Sequence, residues 1–104
     1  MPTKKDAEVE LARSLSQRFG VPCVNLTDIA IDRDLIRHVP VDVARRHQVL
    51  PIHGDAASLT VAMADPGDRS GIDTLRRSTG LRIEVLVAPR AALLRTIERF
   101  YFAN

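Results

Sequence analysis

The chain has 104 residues, 45% of them hydrophobic and 27% charged, which predicts a single globular domain over residues 1–104 and excludes a wholly disordered chain. No stretch approaches 18 consecutive apolar residues, and residues 1–6 lack the apolar core of a secretory signal. We therefore expect a cytoplasmic protein with a disordered tail over residues 1–6 and no direct membrane insertion. The net charge of +2 is small, the arginines are dispersed and only four residues are aromatic, so we expect no nucleic-acid partner.

The first organised stretch predicts a helix from Asp6 to Phe19. Leu11, Leu15 and Phe19 recur at four-residue spacing and Ala12 falls beside them, so we expect this apolar stripe to face the core. Gly20 fits the C-cap that ends such a helix, because glycine adopts the left-handed conformation without a steric penalty.

Two short helices are expected next, after an extended segment over Val21 to Leu26 and a turn around residues 27 and 28. Asp32 fits the N-cap of the first, and Pro40 ends it. The second is predicted from Val41 to His47.

Three strands are predicted in the second half. The first, Gln48 to His53, contains a proline and should lie at a sheet edge. The second, Ser58 to Ala64, has small residues on one face and apolar residues on the other, so we expect it to be covered on both sides and to pair antiparallel with the first. The third is predicted from Leu81 to Val87.

Helices precede and follow the third strand. Asp68 fits the N-cap of one that runs to Thr79, with Gly80 as its C-cap, and Pro89 precedes the last. The crossover from the second strand to the third implies parallel pairing. Together the elements predict a two-layer α+β domain, in which N-terminal helices precede β-β-α-β-α with a small three-stranded mixed sheet.

No catalytic motif is present in the sequence. A phosphate-binding loop of the form Gly-x-x-x-x-Gly-Lys-Ser/Thr is missing, since Gly67 and Gly71 have no lysine after them. We therefore expect no enzyme activity, no catalytic residue and no cofactor.

The histidines and the single cysteine do not indicate a reactive or metal site. His38, His47 and His53 lie on three different predicted elements, and Cys23 is remote from them in sequence, so the spacing does not match a zinc site. Cys23 has no neighbouring base, and we expect a buried, inert thiol. One cysteine cannot form an internal disulfide, which favours a reducing compartment.

Five residues are the candidates for binding a partner. Two arginine pairs fall in the last turns of predicted helices, where cations compensate the helix dipole and where arginine also favours contact with an acidic partner. A C-terminal phenylalanine falls off the apolar stripe of the last helix and should be free to dock. These residues are Arg45, Arg46, Arg76, Arg77 and Phe102.

Four motifs follow one another along the chain: FGVPCVNL at residues 19–26, PVDVARRHQVLPI at 40–52, LTVAMADP at 59–66 and TGLRIE at 79–84. In this order and at this spacing the chain resembles the N-terminal domain of the type II secretion and type IV pilus assembly ATPases, the GspE/PulE N-terminal or MshEN-like domain, over about residues 8–102. The resemblance implies a non-catalytic docking or regulatory domain that precedes a motor ATPase and binds the cytoplasmic part of an inner-membrane assembly protein. Through that partner the domain would lie at the periphery of the inner membrane.

The resemblance also leaves alternatives open. A subset of the family binds cyclic di-GMP through two Arg-Leu-Gly-x-x-Leu helical motifs, and neither motif occurs in this chain. The resemblance therefore assigns no ligand residues, and a cyclic di-GMP or other small-ligand sensor would depend on Arg13, Arg18, Arg45 and Arg46. The chain is either a fragment of a longer ATPase or a free-standing module.

Overall fold

The computed structural model describes residues 4–26 and 31–102. These residues form four α-helices, one 3₁₀ helix and three β-strands. In chain order the elements are α1 (Lys4–Phe19), the 3₁₀ helix (Arg33–His38), α2 (Val41–His47), β1 (Val49–Gly54), β2 (Ser58–Met63), α3 (Arg69–Thr79), β3 (Arg82–Val87) and α4 (Arg90–Phe102).

The strands form one mixed sheet in the order β1-β2-β3. Strand β1 pairs antiparallel with β2, with Pro51 opposite Val61 and a bulge between Pro51 and His53. Strand β2 pairs in parallel with β3, with Val61 opposite Val85. The predicted hairpin, parallel crossover and edge position of the proline-containing strand are confirmed.

The core is built around β2. Leu59, Val61, Ala62 and Met63 are all fully buried, so both faces of this strand are covered, as its small second face predicted. Helices α2 and α4 contact β1, while α3 contacts β3 and the 3₁₀ helix. The predicted α+β class with a three-stranded mixed sheet is confirmed.

Helix boundaries follow the predicted caps. The Asp68 carboxylate accepts a hydrogen bond from the Gly71 N–H at 3.1 Å and begins α3. Gly80 ends that helix in the left-handed conformation with φ 70°, and Gly20 does the same after α1 with φ 66°. Strand β1 begins one residue later than predicted because Gln48 adopts a left-handed φ of 52° as the C-cap of α2.

The segment between α1 and α2 is joined to the C-terminal helix. Asp32 caps the predicted short helix, which is a 3₁₀ helix, by accepting from the Asp34 N–H at 2.9 Å. The Val39 carbonyl after it accepts a hydrogen bond from the Tyr101 hydroxyl at 2.6 Å. Burial of this hydroxyl raises the pKa of Tyr101.

The first helix is confirmed and Ala12 of its predicted inward stripe is buried, but the expectation that Leu11 and Phe19 face the core is wrong. Leu11 is 58% exposed and Phe19 43% exposed, whereas Ala12 is 2% exposed. The helix contacts β3 and α4. The small Ala12 side chain permits close approach to them, and this turns the Leu11 and Phe19 stripe toward solvent.

The predicted N-terminal tail and the predicted turn at residues 27 and 28 lie partly or wholly outside the described residues. Helix α1 already begins at Lys4, inside the expected tail over residues 1–6, and residues 1–3 lie outside the described part of the chain. The expected turn around residues 27 and 28 also lies outside the described residues.

Candidate docking surface

Two of the predicted partner-binding residues, Arg45 and Phe102, meet on the surface formed by α2 and α4. The Arg45 guanidinium donates two hydrogen bonds to Glu98, from Nε to Oε1 and from Nη2 to Oε2, each of 3.2 Å. Its Cζ atom lies 4.4 Å from the centroid of the Phe102 ring, within cation–π range. We call these three residues the Arg45 cluster.

The helices orient these side chains through their buried neighbours. Ala44 is fully buried on α2, so Arg45 beside it points outward. Ile97 and Phe100 face the core from α4, which leaves Glu98 and Phe102 on the exposed side, one turn apart. Phe102 is 49% exposed despite its contact with Arg45.

The Arg45 cluster is not a simple basic patch, because it contains a carboxylate as well as a guanidinium group. Glu98 already compensates the charge of Arg45, so this arginine is held in place rather than left as a free cation. Arg46, the next residue on α2, is exposed. The cluster thus presents an oriented guanidinium group and an aromatic ring, and Arg46 adds a second cation on the same helix.

The second predicted arginine pair lies elsewhere. Arg76 and Arg77 are exposed on α3, and Arg76 forms a 3.6 Å ion pair with Asp73 one turn earlier. Within the described residues, no ion pair, hydrogen bond or ring contact joins either arginine to the Arg45 cluster. The structure therefore brings together Arg45 and Phe102 but not the α3 pair.

The histidines are dispersed, as their spacing predicted, but one has a structural partner. His47 Nδ1 lies 3.0 Å from Asp68 Oδ2 and joins the end of α2 to the start of α3. Partial burial acts to raise the pKa of Asp68, but hydrogen bonds from Gly71 and His47 outweigh it and hold that pKa below its usual value. In the described part of the chain, no group of three or more His, Cys, Asp or Glu side chains is arranged to hold a metal ion.

The expectation of a buried Cys23 is wrong. Its thiol is exposed and lines a cavity of about 760 Å³ between α1 and α4. The segment around it makes one parallel bridge with Val87 of β3, and residues 23–26 all line this cavity. Val24, the next residue, packs against the core.

A second cavity, of about 630 Å³, lies along α1 and is lined by the exposed Leu11 and Phe19. Arg18 also lines it and lies 5.7 Å from the Phe19 ring centroid. Arg13 instead lines the first cavity. The four arginines on which a small-ligand site would depend are thus divided among two cavities and the surface of α2.

Glu98 is the member of the Arg45 cluster that sequence reasoning missed. It is separated from Arg45 by 53 residues, and the spacing along the chain gives no sign of the pairing. Its position four residues before Phe102 is the one local signal, because residues four apart share a helix face.

Residues 19–102 match the family described as the MshEN domain. The chain is 40% identical over 94 residues to the type IV pilus assembly ATPase PilB of Myxococcus xanthus. It is 32% identical over 96 residues to the PilB of Thermus thermophilus. The two alignments include 90% and 88% of this chain but 17% and 11% of the relatives, so the chain spans less than a fifth of their length.

Solved structures share the fold. The structure of MshE with cdg matches with a TM-score of 0.82 at 28% identity, covering 90% of this chain and 68% of that one. The N-terminal domain of XpsE matches with a TM-score of 0.79 at 23% identity, covering 90% and 66%. No helix within residues 4–26 and 31–102 is long and apolar enough to span a membrane.

Proposed function

Because the chain belongs to the MshEN domain family, we propose that it is a non-catalytic docking domain of a bacterial type II secretion or type IV pilus ATPase system. Its partner is the cytoplasmic part of an inner-membrane assembly protein. Binding this partner holds the domain at the cytoplasmic side of the membrane without insertion.

The Arg45 cluster is the observation that supports docking most directly. Arginine and aromatic residues are enriched among the side chains that dominate protein interfaces. Phe102 keeps 49% of its surface exposed in the free domain, and a partner can bury this surface. Complete burial of a phenylalanine side chain contributes about 1.5–3 kcal/mol, and roughly half of that remains available here.

Preorganisation adds to the suitability of this surface. The Arg45 guanidinium donates two hydrogen bonds to Glu98 and lies over the Phe102 ring, so it is oriented before any partner binds. Ordering a long side chain at an interface costs about 0.5–1.5 kcal/mol, and much of this cost is already met in the free domain. The guanidinium and the ring then form one continuous contact surface.

Capture from membrane extracts tests the proposal. The tagged chain should retain an inner-membrane pilus or secretion assembly protein, identified by mass spectrometry. Phe102→Ser and Arg45→Ala should each lower its recovery at least about tenfold, the loss expected when an interface hot spot is removed. Arg76→Ala and Arg77→Ala are the matched controls, since they remove exposed arginines from α3.

A charge-conserving variant sharpens this test. Arg45→Lys retains the positive charge but loses the two-pronged contact with Glu98 and the planar stacking. Recovery should fall as far as with Arg45→Ala. Full recovery with lysine would indicate a plain electrostatic attraction, and equal losses in the α3 controls would place the docking surface elsewhere.

The absence of catalysis is tested on the purified chain. The sequence contains no phosphate-binding loop, so we expect no ATP hydrolysis above that of a buffer control. A hydrolysis rate that copurifies with the chain and persists after further chromatography would contradict a non-catalytic role.

Cyclic di-GMP sensing is the second candidate function, and one observation favours it. MshE, solved with cdg, shares the fold at a TM-score of 0.82. In this chain Arg18 lines the second cavity beside Phe19, whereas Arg13 lines the first cavity and Arg45 is paired with Glu98. Such dispersed cations favour protein docking over nucleotide binding.

Calorimetry with cyclic di-GMP separates the two functions. We expect no binding heat at ligand concentrations well above the chain concentration. Saturable heat that disappears with Arg18→Ala would replace the docking proposal with a sensor at the second cavity.

A further inference from the structure

The sheet has two edges, and they differ in how well they can pair with a further strand. Strand β1 forms one edge, where Pro51 has no N–H to donate and a bulge interrupts the register between Pro51 and His53. Strand β3 forms the other edge. It contains no proline, and its six residues pair with β2 in an unbroken parallel register. The β3 edge is therefore regular enough to accept another strand.

Among the described residues, another segment covers the β3 edge at its C-terminal end alone. The Val87 N–H donates to the Pro22 carbonyl, and the Val24 N–H donates to the Val87 carbonyl, each at 2.9 Å. This pairing ends at Pro22, because proline has no N–H for the Val85 carbonyl, the next acceptor along β3. The N-terminal part of the edge, from Arg82 onward, lies beyond it.

The backbone groups of Ile83 and Val85 point away from β2. Those of Val87 face outward, and backbone direction alternates along a strand, so every second residue before Val87 faces outward as well. At the start of the strand the Arg82 N–H donates to the Ala57 carbonyl at 3.0 Å, on the β2 side, as this alternation requires. Within residues 4–26 and 31–102, no hydrogen bond is formed to the outward groups of Ile83 or Val85.

The exposed side chains on this edge carry opposite charges. Arg82 and Glu84 flank Ile83 on one face of β3 and are 76% and 50% exposed, with Arg82 Nη2 3.0 Å from Glu84 Oε1. In an antiparallel pair of β3 strands with the two Ile83 residues opposite each other, Arg82 of each copy faces Glu84 of the other. Opposite charges in such cross-strand positions stabilise strand pairing, whereas like charges destabilise it.

We propose that the β3 edge binds the β3 edge of a second copy of this chain, antiparallel about Ile83. The two Ile83 residues form the central hydrogen-bonded pair, in which each N–H donates to the carbonyl of the other copy. The Arg82 and Glu84 side chains of both copies form a ladder of ion pairs on one face. A twofold axis then joins two three-stranded sheets into one continuous sheet.

Charge selects the register of this pairing. A twofold axis at Arg82 would place two arginines opposite each other, and an axis at Glu84 would place two glutamates opposite each other. Of these three registers, the axis at Ile83 is the one that matches both side chains with an opposite charge. The overlap is short, so we expect the dimer to form at roughly 0.1–1 mM rather than at micromolar concentration.

Pairing at the β3 edge is independent of docking at the Arg45 cluster. The two surfaces share no residue, since the cluster consists of Arg45, Glu98 and Phe102. Failure of one proposal therefore leaves the other standing.

Sedimentation equilibrium of the intact chain, at concentrations up to about 1 mM, tests self-association. The native chain should show a monomer–dimer equilibrium. Glu84→Arg leaves two arginines on the edge and Arg82→Glu leaves two glutamates, so each variant alone should dimerise at least about tenfold more weakly. A native chain that stays monomeric, or variants that dimerise as well as the native chain, would overturn the proposal.

A mixture of the two variants gives a second readout. The arginines of one variant face the glutamates of the other, so a heterodimer should form with near-native affinity. Both substituted side chains are exposed, and circular dichroism should show native folding. Two folded variants that do not associate when mixed would refute the pairing. Arg76→Glu, which reverses one charge of an exposed ion pair on α3, is the matched control and should dimerise like the native chain; an equal loss in this control would also refute it.

Amide hydrogen exchange of the native chain locates the contact. The Ile83 N–H faces outward without a partner in the single copy, so its exchange should slow as the chain concentration rises. The Glu84 N–H faces β2, so its exchange should change little. Concentration-dependent protection on another surface, with Ile83 unaffected, would overturn the proposal.

Discussion

Helices α1 and α4 carry apolar residues at the same helical spacing, yet their side chains have different surroundings. In α4 the residues Leu93, Ile97 and Phe100 are 0%, 1% and 8% exposed. In α1 the stripe contains Leu11 and Phe19, which are 58% and 43% exposed. Spacing identifies which residues share a helix face, but the neighbouring elements determine whether that face is covered.

The two helices should differ most in how much stability is lost when a leucine is shortened to alanine. Leu93→Ala in α4 removes a fully buried side chain and should lower the free energy of unfolding by about 2–5 kcal/mol, because a cavity remains behind. Leu11→Ala in α1 should change it by less than about 0.5 kcal/mol, as expected for a surface substitution. Urea denaturation followed by circular dichroism measures both values, and similar losses in the two variants would contradict the distinction between core helix and surface helix.

A smaller loss of stability is expected when the hydrogen bond between Tyr101 of α4 and the Val39 carbonyl is removed. Tyr101→Phe removes the hydrogen bond to the Val39 carbonyl and should lower the free energy of unfolding by about 1–3 kcal/mol, the cost of leaving a partly buried acceptor unpaired. Thermal unfolding at neutral pH measures the loss.

Tyr101 should also make the free energy of unfolding depend on pH in the alkaline range. Burial raises the pKa of Tyr101, so the folded state favours the protonated phenol. This contribution to stability is complete below the unfolded pKa of about 10 and is lost as the pH rises above it. Unfolding of the native chain and of Tyr101→Phe between pH 9 and pH 11 should therefore show a steeper decline in the native chain, and parallel declines would contradict the assignment.

The Asp68 cap of α3 should contribute less to the free energy of unfolding than the Tyr101 hydrogen bond does. Asp68→Ala removes the hydrogen bond to the Gly71 N–H and the contact with His47, and should cost about 1 kcal/mol at neutral pH. Because the pKa of Asp68 is lowered in the folded state, its contribution is present above the unfolded pKa of about 3.9 and is lost as the pH falls through the lower folded value. Acid unfolding should show the native chain approaching the variant, and a constant difference below pH 3 would argue against an ionised Asp68 cap.

The smallest effect is expected for the exposed ion pairs. Arg45 and Glu98 have side chains that are 53% and 56% exposed, so Arg45→Ala should change the free energy of unfolding by less than about 1 kcal/mol. Arg76→Ala, which breaks the pair with Asp73, should be within about 0.5 kcal/mol of the native chain. A large loss of stability in Arg45→Ala would mean that the cluster supports the fold rather than a partner.

Much of the fold could be predicted because its signals are local. Asp68 and Gly80 mark the ends of α3, and the alternation along β2 indicates a strand covered on both faces. The exposure of Leu11 and Phe19 on α1 could not be predicted, since the spacing places them beside the buried Ala12 and only the packing of β3 and α4 determines which part of that face is covered. The exposure of Cys23 depends in the same way on its bridge to Val87.

The candidate site was predictable in part for a related reason. Phe102 falls off the apolar stripe of α4, and this indicates an exposed aromatic residue. The contact between Arg45 and Phe102 depends on how α2 packs against α4, which the spacing along the chain does not encode. The separation of Arg76 and Arg77 from that cluster likewise required the tertiary structure.

A double-mutant cycle on partner binding tests the docking surface most directly. The inner-membrane protein captured by the chain is titrated with the native chain, Arg45→Ala, Phe102→Ala and the double variant, while Arg76→Ala serves as control. We predict that Arg45→Ala and Phe102→Ala each weaken binding at least about tenfold, while the control binds normally. The double variant should lose less affinity than the two single fold-losses multiplied together, because the two side chains act as one contact. Native affinity in both single variants, or a loss confined to Arg76→Ala, would contradict docking through the Arg45 cluster.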